Sequence, residues 1–140
     1  MLEVVEPDPV AAQHELATAQ RHVESAARIA PTDPDGAFAV GYDAMRKAIS
    51  AHMRSSGLRL RKGPGHHRRV GDYGRAALDT DRVAAHLDAF DELRLLRNQS
   101  QYDGLAVGPG EVTELLVHAR AILAAVGESL APQEPADPSQ

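Results

Sequence analysis

Two Asp-Pro steps, each followed by apolar residues at three-and-four spacing, most constrain what this chain can fold into. Asp8-Pro9 and Asp33-Pro34 each place a carboxylate that can accept from free helical amides, directly before a proline whose fixed φ suits a first helical turn. The stretches that follow repeat apolar side chains with the helical period, over about 9–30 and 34–56. The sequence therefore predicts two capped helices in its first half.

Three further helices are predicted from the same periodicity. A short one spans about 68–77 and a longer one about 81–102, with Asp79 or Thr80 as its cap. The last helix carries the most regular apolar stripe of the chain, over 112–130.

The connection after the second helix interrupts the helical pattern. Two glycines and a proline fall within residues 58–67, which we therefore predict as the principal loop. Because 140 residues, 43% of them hydrophobic, suit one core, the sequence predicts a single all-α domain over 1–131. Its expected architecture is an up-and-down bundle of four to five helices. The proline-rich residues 132–140 are expected to be disordered.

Composition narrows the class of protein. The chain has no cysteine, which excludes a disulfide framework and a thiolate metal site. Residues 1–6 are acidic rather than basic and no 18 apolar residues run together, so we expect a soluble, cytoplasmic protein that does not contact the membrane. No phosphate-binding glycine loop or nucleophile elbow occurs, which argues against NTPase, dinucleotide-binding and hydrolase functions.

Charge is distributed unevenly along the chain. The net charge is −5, but residues 54–75 hold seven basic side chains against Asp72 alone, a local charge of +6 that leaves −11 elsewhere. Such a segment can concentrate phosphate on an otherwise acidic protein. A solvated charged loop explains the same run of residues, and the sequence leaves both interpretations open.

Residues 93–104 hold the most informative side chains. Arg97 follows Phe90 by seven residues and therefore lies only about 20° from it around a regular helix, on the inward side. A buried guanidinium keeps its charge and needs an acid, a set of carbonyls, a partner chain or a phosphate. An ion pair with Asp91, Glu92 or an acid of an earlier helix is the structural alternative to a phosphate site.

An Arg-Asn pair near the end of a late helix in an all-α bundle, followed closely by a polar residue and a tyrosine, resembles the HEPN superfamily. The resemblance rests on Arg97-Asn98 within the segment 93–98, on Tyr42-Asp43-Ala44-Met45 in the second helix and on the Gly65-His66-His67 turn. Their order is similar to that of an actinobacterial-style branch, and the match covers roughly residues 8–130.

The resemblance implies a homodimer in which the arginine-bearing helix ends meet in a shared cleft. Active HEPN members cut RNA without a metal, by attack of the 2′-hydroxyl on the adjacent phosphate. Arg97 matches the arginine that stabilises the transition-state charge, and Asn98 matches the polar residue after it. In the family, four to six residues separate the arginine from the histidine, and at those positions this chain has Tyr102, Asp103 and Gly104, none of which replaces an imidazole at neutral pH. We therefore expect a degenerate ribonuclease centre of Arg97, Asn98 and Tyr102, with no metal and no cofactor.

The basic turn is the expected contact with nucleic acid. His66 or His67 can replace the missing imidazole in space, although a turn in which the histidines cap neighbouring carbonyls is the simpler interpretation of both. The predicted nucleic-acid-binding residues are Arg94, Arg61, Lys62, His66, His67, Arg68 and Arg69. The other five histidines are dispersed with no i,i+4 pair, so a helical zinc site is not expected.

Three functions are open from the sequence. The first, which we favour, is an RNA- or nucleotide-binding homodimer with a degenerate centre, acting with an antitoxin or another protein in a toxin-antitoxin, defence or stress system. The second is an active, metal-independent endoribonuclease toxin that uses Arg97 from both protomers and a histidine of the basic turn. The third is a non-catalytic helical module whose basic loop docks an acidic protein.

Overall fold

The computed structural model describes residues 2–60, 63, 65–78, 83–102 and 107–130, with the backbone alone at 60, 67, 75, 91 and 99–102. In chain order the described elements are β1 (Leu2–Val4), α1 (Pro9–Ile29), α2 (Pro34–Ser55), β2 (Leu58–Leu60), α3 (His66–Ala77), α4 (Ala84–Tyr102) and α5 (Pro109–Leu130). The predicted all-α helical bundle is thus confirmed for these residues. The predicted cap at Asp79 or Thr80 and the predicted tail, 132–140, lie outside them. None of the described helices is both long and apolar enough to cross a membrane.

Side-chain caps start the first two helices at the predicted residues. Asp8 Oδ1 accepts a hydrogen bond from the Ala11 amide at 3.0 Å, and Asp33 Oδ1 accepts one from the Gly36 amide at 2.9 Å. A proline follows each aspartate as the first helical residue. Both helix starts are therefore encoded locally, by a side-chain acceptor and a fixed φ.

Helix α2 lies at the centre of the bundle and packs against the four other described helices. Its fully buried Tyr42 stacks on Phe90 of α4, with ring centroids 5.1 Å apart and planes 12° from parallel. At Gly41 the approach of α5 is so close that a Cβ would overlap the side chain of Leu115. These contacts fix α4, the helix that carries the predicted site residues, against the centre of the core.

The segment after α2 is in part a strand, so the prediction of a loop was wrong for residues 58–60. β2 pairs antiparallel with β1, which places Arg59 opposite Glu3. Gly57, where α2 was predicted to end, has φ +72°, and its carbonyl accepts from the Val5 amide at 2.8 Å. Three alternating residues are too short a signal for a strand when the pairing partner lies before α1 and α2 in the sequence.

Candidate functional site

The predicted arginine centre lies where α4 crosses α2. The guanidinium carbon of Arg97 is 5.2 Å from the centroid of the Tyr42 ring, within the range of a cation–π contact. Because Tyr42 stacks in turn on Phe90, three side chains form a column from the core to the half-buried Arg97. The inward orientation predicted for Arg97 from its spacing to Phe90 is confirmed.

Arg94 and Arg97 share an unusual feature among the described side chains. The Nε of each is buried and has no hydrogen-bond partner. No carboxylate of the described side chains pairs with either guanidinium, whereas Arg59 reaches Glu3 at 2.7 Å and Arg120 reaches Glu24 at 2.5 Å. The ion pair considered for Arg97 is therefore absent from this part of the chain, and the side chain of Asp91, one candidate partner, lies outside it.

Asn98 and Tyr102 follow Arg97 on the same helix. Asn98 is half-buried, and α4 continues as far as Tyr102, whose side chain lies outside the described residues. Five residues of regular helix separate positions 97 and 102 by about 140° around the axis. Within one chain the two positions therefore face different sides of α4.

Only part of the predicted basic turn lies within the described residues. His66 begins α3, and Arg68 and Arg69 are exposed on its first turn. Arg61 and Lys62, together with the side chain of His67, lie outside the described residues.

His66 borders a cavity of about 570 Å³ that mixes both signs of charge. Its other charged lining residues are Glu3, Glu6, Asp8, Glu15, Arg46, Arg54 and Arg59. Neither Arg94 nor Arg97 lines this cavity, so the structure does not bring His66 and the arginine centre together in it.

Burial and charge compete in the carboxylates beside this cavity. Burial raises the pKa of Glu15, and the nearby charges of Arg54, Lys47 and Arg46 offset only part of that effect. Burial also acts to raise the pKa of Asp43, but a hydrogen bond from Arg46 and the charges of Arg46 and Lys47 outweigh it, so this pKa is lowered. Arg46 and Lys47 of α2 are thus paired with Asp43, and four acids line the cavity, which leaves it a poor site for phosphate.

Two histidine contacts between helices were not predicted from the sequence. His52 of α2 lies with Nδ1 2.9 Å from the Tyr73 hydroxyl and with Nε2 3.1 Å from the Ser129 hydroxyl. His86 of α4 lies with Nδ1 2.8 Å from Nδ1 of His118 on α5. The partners are 21 to 77 residues apart along the chain, so no local spacing signals them.

Burial determines the protonation of the first of these contacts. It lowers the pKa of His52, which therefore favours the neutral ring, and it raises the pKa of Tyr73 against an opposing hydrogen bond with Ser56. This contact joins α2, α3 and α5 through neutral groups.

Comparisons of the chain with protein-family models, with curated proteins and with solved structures find no match. Function is therefore inferred from the fold and from the geometry around Arg97.

Proposed function

We propose that this protein is a HEPN-type homodimer that binds RNA or a nucleotide through Arg94 and Arg97 and that its ribonuclease centre is degenerate. The observation that carries the proposal is the Arg97 guanidinium in cation–π contact with a buried ring, with no described carboxylate to neutralise it. A half-buried cation placed in this way favours an anionic ligand.

The contact suits a phosphate in particular. The Tyr42 ring offsets part of the charge without accepting a conventional hydrogen bond, and the N–H donors of an arginine point outward in the guanidinium plane. Planar donors of this kind can form the paired hydrogen bonds that recognise a phosphate. Arg94, one turn earlier on α4, adds a second cation with an unpaired Nε.

The degenerate centre follows from the residues after Arg97. General acid–base help by a positioned imidazole contributes about 10² to 10⁴-fold to a rate. This chain has no histidine at the spacing that the HEPN resemblance requires. Binding without efficient cleavage is the function that these residues support, in a system where a partner protein or antitoxin completes the activity.

The test is binding of a fluorescein-labelled single-stranded RNA, measured by anisotropy at fixed salt, for Arg97→Met. Methionine keeps the unbranched stem against the Tyr42 ring and removes the charge. We expect RNA affinity to fall roughly tenfold to a hundredfold, the cost of losing charged hydrogen bonds. Arg120→Met, which removes an exposed arginine of α5 paired with Glu24, is the control and should change affinity little.

This experiment distinguishes an Arg97 that binds RNA from an Arg97 that only packs against the core. If Arg97 only packs, replacing a half-buried charge with an apolar side chain leaves affinity unchanged and is neutral or stabilising, and the proposal is wrong. Robust cleavage of the same RNA by the wild type in EDTA, lost in Arg97→Met, would replace the degenerate centre with an active metal-independent endoribonuclease.

A further inference from the structure

His86 and His118 form a contact between two helices that the proposed function does not use. Their Nδ1 atoms are 2.8 Å apart, their ring centroids are 5.1 Å apart and their planes are inclined by 62°. Nε2 of His118 lies 3.8 Å from Oε1 of Glu114, one turn earlier on α5. The side chain of His118 is 17% exposed and that of Glu114 is 72% exposed, so solvent reaches the edge of the group.

The short contact between the rings fixes how many protons lie between them. A hydrogen bond of 2.8 Å between two Nδ1 atoms needs one donor and one acceptor, so one ring carries its proton on Nδ1 and the other on Nε2. The two Nδ1 atoms thus share a single proton.

We propose that His86 and His118 bind a divalent transition-metal ion of the Ni²⁺ or Cu²⁺ type between their Nδ1 atoms. The proton on the donating Nδ1 moves to Nε2 of the same ring, so each ring keeps one proton and both Nδ1 lone pairs become available to the ion, which lies to one side of the line that joins the two nitrogens. Glu114, 3.8 Å from Nε2 of His118, places a negative charge near the site.

The separation of the two nitrogens favours one coordination geometry. With metal–nitrogen bonds of about 2.0 to 2.1 Å, two ligands at right angles lie about 2.9 Å apart, whereas tetrahedral ligands lie about 3.3 to 3.4 Å apart. The hydrogen-bonded separation is 2.8 Å, so a right-angled pair requires the smaller movement of the two rings. Square-planar and octahedral ions have such pairs, and tetrahedral zinc does not.

The remaining coordination positions belong to water. No group of three or more histidine, cysteine, aspartate or glutamate side chains able to hold a metal occurs in the described ranges. The site therefore has two histidine ligands, one on α4 and one on α5, and a bound ion would link these two helices. A bound ion would stabilise the folded state in proportion to its occupancy, because the unfolded chain does not hold the two rings together.

The experiment titrates the full chain with CuCl₂ and follows the electron paramagnetic resonance spectrum, and repeats the titration with NiCl₂ and ZnCl₂ while following Tm. We expect one Cu²⁺ per chain with two nitrogen ligands in its plane, and a rise in Tm of about 5 °C or more at a hundredfold excess of Cu²⁺ over Kd. Zn²⁺ at the same concentration should raise Tm less, because its Kd for this pair is expected to be higher.

Four variants assign the site. His86→Gln and His118→Gln should each abolish the two-nitrogen signal, with far-ultraviolet circular dichroism verifying the helices. Glu114→Gln, an exposed change that leaves both ligands, should weaken Cu²⁺ binding only a few-fold, because the carboxylate is 3.8 Å from Nε2 of His118 and largely exposed. A His66→Gln, His67→Gln double variant removes the adjacent histidine pair and should leave the two-nitrogen Cu²⁺ signal unchanged. A signal that survives in His118→Gln, or that disappears in the double variant instead, would overturn the proposal.

Discussion

The charge of Arg97 is compensated only in part. The centroid of the Tyr42 ring lies 5.2 Å from the guanidinium carbon, and a ring quadrupole offsets a cation by about 0.5 to 2 kcal/mol. That is less than the several kcal/mol that desolvating an unpaired charge costs. The half-buried position, with one edge toward solvent, reduces that cost and is the arrangement expected of a side chain kept for a ligand rather than for packing.

Position 102 is where the HEPN resemblance predicts that activity can be restored. Tyr102→His places an imidazole five residues after Arg97, within the spacing of active members. We expect this change to raise cleavage of a labelled single-stranded RNA in EDTA, with products that end in a cyclic phosphate. The double variant Tyr102→His, Arg97→Met should lose any gain, because the transition-state charge lacks its cation. No gain over the wild type would show that spacing alone does not rebuild the centre.

His52 gives the protein a dependence of stability on pH with a definite sign. Burial lowers the pKa of His52 below 6.5, so the folded state takes up a proton less readily than the unfolded chain does. Above pH 6.5 both states are neutral at this ring, and the contribution of His52 is constant. As the pH falls below 6.5 and through the folded-state pKa, the free energy of unfolding decreases.

The measurement is the Tm at pH 7.5 and at pH 5.0 for the wild type and for His52→Gln. Glutamine does not titrate, so the drop in Tm between the two pH values should be smaller in the variant. His14→Gln changes an exposed histidine of α1 and serves as the control. An equal drop in wild type and His52→Gln would contradict the assignment.

Among the elements, the join of α2 to β2 depends on one backbone conformation. Gly57 has φ +72°, and a Cβ there would lie 2.7 Å from the Val5 carbonyl oxygen, a backbone atom held by the pairing of β1 with β2. Gly57→Ala should therefore lower the free energy of unfolding by about 1 to 2 kcal/mol or more. Denaturant unfolding measures this, and Gly108→Ala, where a Cβ meets nothing within 4 Å, should have little effect.

The helices were predictable from the sequence because their signals are local. Asp8 and Asp33 cap the helices that they precede, and α2 ends within one residue of its predicted end. The pairing of β1 with β2 was not predictable, because its hydrogen bonds join segments separated by two helices. Helix starts and ends could thus be predicted from neighbours in the sequence, whereas pairing could not.

The same distinction between local signals and contacts across elements holds for the candidate site. Helical spacing predicted that Arg97 turns inward with Phe90, since both belong to α4. It did not predict Tyr42 as the partner, because that contact depends on how α4 packs on α2. The His86–His118 contact depends likewise on the packing of α4 against α5. The direction of a side chain is set within its own helix, whereas its contact partner depends on how two helices pack together.

At the scale of the whole molecule, the exposed guanidiniums at the start of α3 should contribute a uniform electrostatic attraction to nucleic acid. Arg68 and Arg69 are exposed, while the charge of Arg59 is engaged with Glu3. Arg68→Ala, Arg69→Ala should weaken binding of single-stranded RNA regardless of its sequence and reduce the log–log salt slope by about 0.7 for each phosphate that the two arginines neutralise in the wild type. An unchanged slope in anisotropy titrations from low to high salt would exclude this face from the RNA interface.

The homodimer makes a prediction about the outer face of α4. Leu95 is 54% exposed beside Arg94, and a two-fold contact through this face of the arginine-bearing helices would bury it in both copies. Leu95→Glu places two like charges at that contact and should convert the proposed dimer to a monomer without unfolding it, because an exposed side chain contributes little to the core. Val117→Glu, on α5 with 56% exposure, is the matched control and should remain dimeric. Static light scattering at micromolar concentration measures both, and a wild type of monomer mass would contradict the homodimer.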